Sequence, residues 1–215
     1  MNSRPAKKGA YQSRLRTEQA AATRELVLDA ATRLFVERGY AATSIDAIAE
    51  AAGVGRSTVF AAAGGKPWLL KTAYDRAIVG DDEPVPLLQR PAARKLFQLT
   101  DPAEIVAGHA RIVAEAAERV SAICEAIHSA AGCDPEVDDL WKEIGQQRLT
   151  GARAFAALID EKGGLRRGMD VDEARDIIWI FNDPTLHHAL VRLRGWTQNQ
   201  YQRWLTDNLQ HQLLR

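Results

Sequence analysis

Two groups of residues in this chain have types and spacings that could do chemistry. The first is Arg56, Ser57 and Thr58, three consecutive polar residues just after a glycine. Guanidinium and hydroxyl groups bond to phosphates and base edges, so a helix tip carrying them is suited to contact nucleic acid. The second is Cys124 and His128, four apart and so on one helical face, with Cys133, His187 and His188 elsewhere. A thiolate and an imidazole at that spacing could ligate zinc, but a zinc site takes three or four converging ligands and only two share a face here. A buried cysteine and a core histidine are the simpler reading, and no metal or cofactor is expected. No Gly-rich phosphate loop, nucleophile elbow or paired catalytic motif occurs, so an enzyme is not expected.

The polar tip needs a scaffold, and the preceding residues supply one. Ile45, Ile48, Ala49 and Ala52 recur at spacings of three and four and so share one face of a short helix. Thr43 is expected to cap it, with Asp46 in the first turn against the positive end of the helix dipole. Gly53 permits a left-handed turn and Val54 plugs it. A second helix then starts at Gly55 or Arg56, with Val59 facing Ala49, whose small side chain lets two helices cross closely. The pair reads as a helix-turn-helix presenting Arg56, Ser57 and Thr58 to the major groove of double-stranded DNA. A helix over residues 18–38, apolar at Val27, Ala30, Ala31, Leu34 and Phe35, covers the pair, and Pro67 opens a fourth helix after Lys66. Lys66 and the first-turn amides there form a candidate phosphate clamp.

The 215 residues are 46% apolar, with no alternating β-branched runs, and the chain reads as all-α. Charge is balanced overall but not along the chain. Residues 1–80 carry 12 Lys and Arg against 7 Asp and Glu, whereas residues 81–215 carry 16 against 21. A basic N-terminal part on an acidic remainder fits a nucleic-acid-binding module joined to something else. Residues 1–16, basic and free of acids, are expected to form a disordered arm; residues 17–80 the helix-turn-helix domain; and residues 81–215 a second helical domain after a Pro-rich acidic linker over residues 80–91. No apolar run approaches the roughly 20 residues that span a bilayer, and the polar start is no signal peptide, so a cytoplasmic protein with no membrane partner is expected.

In the second domain, Asp101–Pro102, Asp134–Pro135 and Asp172 are expected to start helices that Gly132 and the pair Gly163 and Gly164 help to end. Pro184 should break or kink the helix around Trp179, with Asn182 or Asp183 capping a fresh turn. A last helix places Tyr201, Trp204, Leu205, Leu209 and Leu213 in register.

The run AATRLFVERGYAATSIDAIAEAAGVGRSTVF followed by GKPWLL resembles the DNA-binding signature of TetR-family (tetracycline-repressor-like) transcriptional regulators, and RGWTQNQYQRWL more weakly resembles the start of that family's last helix. The resemblance implies an N-terminal three-helix helix-turn-helix domain plus a larger helical ligand-binding and dimerisation domain, about nine helices in all. It makes residues 56–62 the recognition helix and gives Thr43, Thr58 and Lys66 as DNA contacts beside Arg56, Ser57 and Phe60. Phe60 stands where the family usually has a tyrosine, and Ala62 and Ala63 where larger residues are common. The implied function is a repressor, homodimeric through residues 172–213, released from a near-palindromic operator by a small apolar or aromatic effector that remains unidentified. Candidate walls of the effector site are His109, Val113, Cys124, His128, Trp141, Ile144, Phe155 and Trp179.

Overall fold

The computed structural model describes residues 6–79 and 90–214, and the regular elements in them are helical. Contacts divide the chain into two compact units, Met1–Ala73 and Tyr74–Arg215.

In the first unit, α1 (Ala6–Arg38) begins well before Thr17 and takes in most of the expected arm; residues 1–5 lie outside the described residues. Ala, Lys, Gln and Arg dominate residues 6–24, and none of these residues is proline. Extending an existing helix through such residues costs little, whereas nucleating one is expensive. Val27, Ala31, Leu34 and Phe35 form the buried stripe, and Gly39, at φ 81°, ends the helix. The cap of α2 (Ile45–Ala52) is Ser44, not Thr43: its hydroxyl accepts from the Ala47 amide at 3.1 Å. Thr43 is instead 1% exposed and donates to the carbonyls of Leu34 and Gly39, at 3.2 and 2.8 Å, stitching the start of α2 back to α1.

Gly53 sits at φ 67°, and Val54 donates back to Ala49 at 3.0 Å, closing the expected left-handed turn. Helix α3 (Arg56–Ala63) comes next, with Val59 buried as are Ile48 and Ala49. In α4 (Lys66–Val79) Leu69 and Leu70 are fully buried, but Trp68 stays at the surface with the Arg24 guanidinium 4.7 Å from its ring centroid.

The second unit opens on a short helix the sequence reading missed, α5 (Pro91–Leu96); residues 80–89 of the expected linker lie outside the described residues. Pro91 at its first turn fits the rule for prolines there, and α5 rests on α6 at Gly108, where any side chain would run into Leu96. Asp101 and Asp134 cap α6 (Pro102–Ala131) and α7 (Pro135–Glu161) as expected. Helix α8 (Val171–Phe181) is capped by Asp170, two residues before Asp172. The break at Pro184 is present: Asp183 caps α9 (Pro184–His187), which runs on as a π-helical turn, His188–Leu193, that periodicity does not foresee. A capping box of Thr197 and Gln200 starts α10 (Gln198–Leu213).

Tyr201, Leu205, Leu209 and Leu213 of α10 are essentially fully buried among α6, α7 and α8 residues, so that stripe is the core of the unit itself. Arg166 donates to the Leu213 carbonyl at 2.8 Å and ties the end of α10 to the α7–α8 loop. Among the described residues no helix is long and apolar enough to cross a membrane.

Candidate DNA-contacting face and effector site

The tip of α3 is exposed at Arg56, Ser57 and Phe60, whereas Thr58 is half-buried. Phe60, 45% exposed, lies beneath Arg56, whose guanidinium is 5.7 Å from the ring centroid. An apolar ring there supports a cation instead of offering a hydroxyl. One nitrogen of Arg56, Nη1, donates to both carboxylate oxygens of Asp46, at 2.8 and 3.0 Å. Both side chains are about 60% or more exposed, and such a pair contributes only about 0–1 kcal/mol. Asp46 therefore holds Arg56 over the turn loosely enough for a phosphate to replace it.

Lys66 donates to the Tyr40 carbonyl at 2.8 Å and lies 3.9 Å from the Tyr40 ring centroid, which fixes the start of α4 beside the α1–α2 connection. Of the residues named from sequence, Thr43 is withdrawn altogether, its buried hydroxyl committed to the Leu34 and Gly39 carbonyls, while Lys66 is engaged by Tyr40. Its neighbour Ser44 is exposed at the N-terminus of α2, one residue along and of the same chemistry.

In the second unit the sequence candidates divide. His109 stacks on Phe155, with centroids 3.8 Å apart and planes at 21°. His109 Nε2 donates to Asn182 Oδ1 at 3.1 Å, the tautomer being assigned from the acceptor. Burial pulls the His109 pKa from 6.5 to about 4, against the opposing Asn182 bond, so the ring is neutral near pH 7. As a residue His109 is half-buried. Val113, one turn on, is partly buried against the same core.

Because the folded pKa of His109 is depressed, the stability tied to its neutral form is complete above pH 6.5 and lost as pH falls towards 4. Wild type should lose about 3 kcal/mol more than His109→Gln over that interval. Urea melts at the two pH values read this directly, and equal losses would place the titration elsewhere.

Trp179 is held at both ends: its Nε1 donates to the Gly145 carbonyl at 3.0 Å, and its own carbonyl accepts from Arg148 Nη2 at 2.9 Å. The same nitrogen pairs with Asp183 Oδ2 at 2.9 Å, and the two side chains are 13% and 24% exposed. Asp183 Oδ1 accepts from the amide and hydroxyl of Thr185, at 2.9 and 2.6 Å. Sequence reasoning missed this inward ion pair. The signal was available, because Arg148 falls four residues after Ile144 and four before Ala152 on the buried stripe of α7.

Ile144 is fully buried one turn from Arg148, and Cys124 is buried with its thiol pushed up to about 12, chiefly by burial. A protonated, enclosed thiol is neither a ready metal ligand nor a reactive nucleophile. His128 is exposed, 4.9 Å from the Trp141 ring, so this pair stands at the surface and apart from Cys124. Among the described residues no three His, Cys, Asp or Glu side chains converge on a point that would hold a metal. His187, by contrast, is a satisfied core histidine, bonded to Ser121 Oγ at 3.0 Å and Gln198 Oε1 at 2.8 Å.

Residues 27–72 match the model of a family described as bacterial regulatory proteins, tetR family, and the whole helix-turn-helix lies inside the match. No curated protein matches the chain. Among solved structures, the chain is similar to NalD of Pseudomonas aeruginosa, the secondary repressor of the MexAB-OprM multidrug efflux pump, at 20% identity and TM-score 0.68, over 92% of this chain and 98% of that one. It is also similar to a choline-bound protein from Saccharomonospora viridis assigned as a transcriptional regulator, at 18% identity and TM-score 0.68, over 91% and 99%. A third likeness, at 20% identity and TM-score 0.65 over 90% and 92%, is to the SmeT–triclosan complex. The chain thus matches that family's model over residues 27–72 and, along nearly all its length, shares the fold of these solved structures.

Proposed function

We propose that the protein is a homodimeric, ligand-responsive transcriptional regulator of the cytoplasm, a repressor released from a near-palindromic operator by a small apolar or aromatic effector. The observation that carries this reading is the α3 tip, with Arg56, Ser57 and Phe60 exposed in a domain that matches the family's DNA-binding model. Similar folds solved with choline and with triclosan support the effector half. So does the interior of the second unit, where His109 stacks on Phe155 and Arg148, paired with Asp183, lies over the Trp179 ring. Ile180 and Leu193, 56% and 70% exposed near the ends of α8 and the π-turn, support a dimer built on these last elements. A coupling of about 1–3 kcal/mol between effector and DNA suffices for a switch.

Selection of bound DNA from a random pool tests the reading. Two inverted half-sites, centred about 10 base pairs or a multiple of that apart, are expected. Lys66→Ala should then weaken binding to all sequences alike and reduce the salt slope by about one. Recovery of no repeated sequence at all, with wild type, would sink the operator reading.

A further inference from the structure

Arg56 is the only charged residue of α3, yet it does not stand at the tip as a bare cation. Its Nη1 donates to both oxygens of Asp46, at 2.8 and 3.0 Å, so the charge is matched by an acid. The Phe60 ring, 5.7 Å from the guanidinium carbon, gives the group a second neighbour. Asp46 lies in the first turn of α2 and Arg56 in the first turn of α3, so the pair bridges the two helices of the helix-turn-helix. The side chains of Arg56 and Asp46 are 60% and 66% exposed, and no core packing requires them to meet. An acid beside the one cation of a DNA-reading tip weakens the attraction for phosphate, and so needs a reason.

The reason lies in the edge of the guanidinium that stays free. Nε and Nη2 make no hydrogen bond among the described residues, and together they form a fork of two parallel N–H donors. In the major groove guanine alone offers two adjacent acceptors, N7 and O6, to such a fork. Adenine and cytosine each present an amino donor there, and thymine a single oxygen. A phosphate also has two oxygens, but it is charged. At the free edge it meets the nearby Asp46 carboxylate, and it escapes that repulsion only by displacing Asp46 from Nη1. A guanine is uncharged and takes the fork with the ion pair intact. We infer that Asp46 is a positioning residue that withholds Arg56 from the phosphates and aims its free edge at a guanine in each half of the operator. This rests on the DNA-binding reading above and names the base that the tip reads.

The test starts from the site that wild type selects out of a random DNA pool. Each half-site should hold one G·C pair whose preference disappears in Arg56→Ala while the other positions keep theirs. Changing that pair to A·T in one half-site should weaken wild-type binding about tenfold. Asp46→Asn keeps the shape of the side chain and removes its charge, at an exposed position where the fold does not depend on it. In that variant the G·C preference should fall to about threefold or less, as a fork no longer held in place predicts. Binding to unrelated DNA should become tighter, with a salt slope steeper by about one, because the released guanidinium gains a phosphate. In the Arg56→Ala background, Asp46→Asn should leave that slope unchanged. Equal steepening with and without Arg56 would make Asp46 a simple repelling charge. That result, a G·C preference undiminished in Asp46→Asn, or a selected site with no G·C pair that depends on Arg56, overturns the inference while the DNA-binding reading stands. Selection of no repeated sequence by wild type overturns both.

Discussion

Asp183→Ala should cost the second unit roughly 3 kcal/mol, towards the low end for breaking a buried ion pair because Asp183 keeps some solvent contact. The loss comes less from the missing attraction than from the charge that stays behind. Arg148 is 13% exposed, its Nε has no partner among the described residues, and without Asp183 the guanidinium keeps the Trp179 carbonyl and the Trp179 ring, 5.2 Å from its centroid, but no anion in the contacts described. An arginine cannot shed its proton to escape, so its charge stays buried and uncompensated. Loss of the cap on α9 adds to the cost, since Asp183 also accepts from the Thr185 amide.

Two comparisons separate these causes. The double variant Arg148→Met/Asp183→Ala should recover most of the loss, because a flexible apolar chain in place of the guanidinium leaves no charge to desolvate. Asp172→Ala removes the partner of Arg153 and Arg175 in a pairing whose Asp172 is 60% exposed, and should cost under about 1 kcal/mol. A double variant no more stable than Asp183→Ala alone would show that the cap, not the stranded charge, dominates.

The distance between sequence and structure is instructive in the same residues. The helix-turn-helix is legible because each of its parts is local: apolar spacing in α2, a glycine that must be left-handed, and a polar tip directly after it. Even there the choice between Thr43 and Ser44 as cap was beyond reach, since it depends on the Thr43 hydroxyl finding the Leu34 carbonyl nine residues back. In the second unit, spacing leaves Asn182 and Asp183 as alternative caps; Asp183 is the one that caps, while its other oxygen serves Arg148 across the fold. His128 and Cys124 share a helical face by spacing, yet one is exposed and the other buried, because four residues of helix turn through more than a full circle and the edge of a packed face falls between them. The π-turn after His187 comes from packing that no periodicity encodes. Arg148 is the one element that could have been found, as a charge at a core position of an otherwise apolar stripe.

Phe35→Ala should remove about 3–5 kcal/mol from the first unit and with it nearly all DNA binding, although Phe35 lies on α1 and not on the recognition helix. Phe35 is fully buried, and its ring sits 5.6 Å from that of Tyr40, whose carbonyl and ring together hold Lys66. A three-helix core of this size rarely supplies more than about 3–5 kcal/mol, so one large cavity takes most of it. In the function proposed above, the α3 tip can read DNA only while α1 holds α2 and α3 at a fixed angle. Trp68 is the one tryptophan of the first unit; Trp141, Trp179, Trp196 and Trp204 belong to the second and report on it independently. Their fluorescence should stay close to that of wild type in Phe35→Ala while operator binding disappears. Leu26→Ala, a change at a residue 56% exposed on the same helix, should leave both within about 0.5 kcal/mol of wild type. Operator affinity within a few-fold of wild type in Phe35→Ala would mean that the contacts of α2 with α3 alone fix the recognition helix, and that α1 is a cover and not a support.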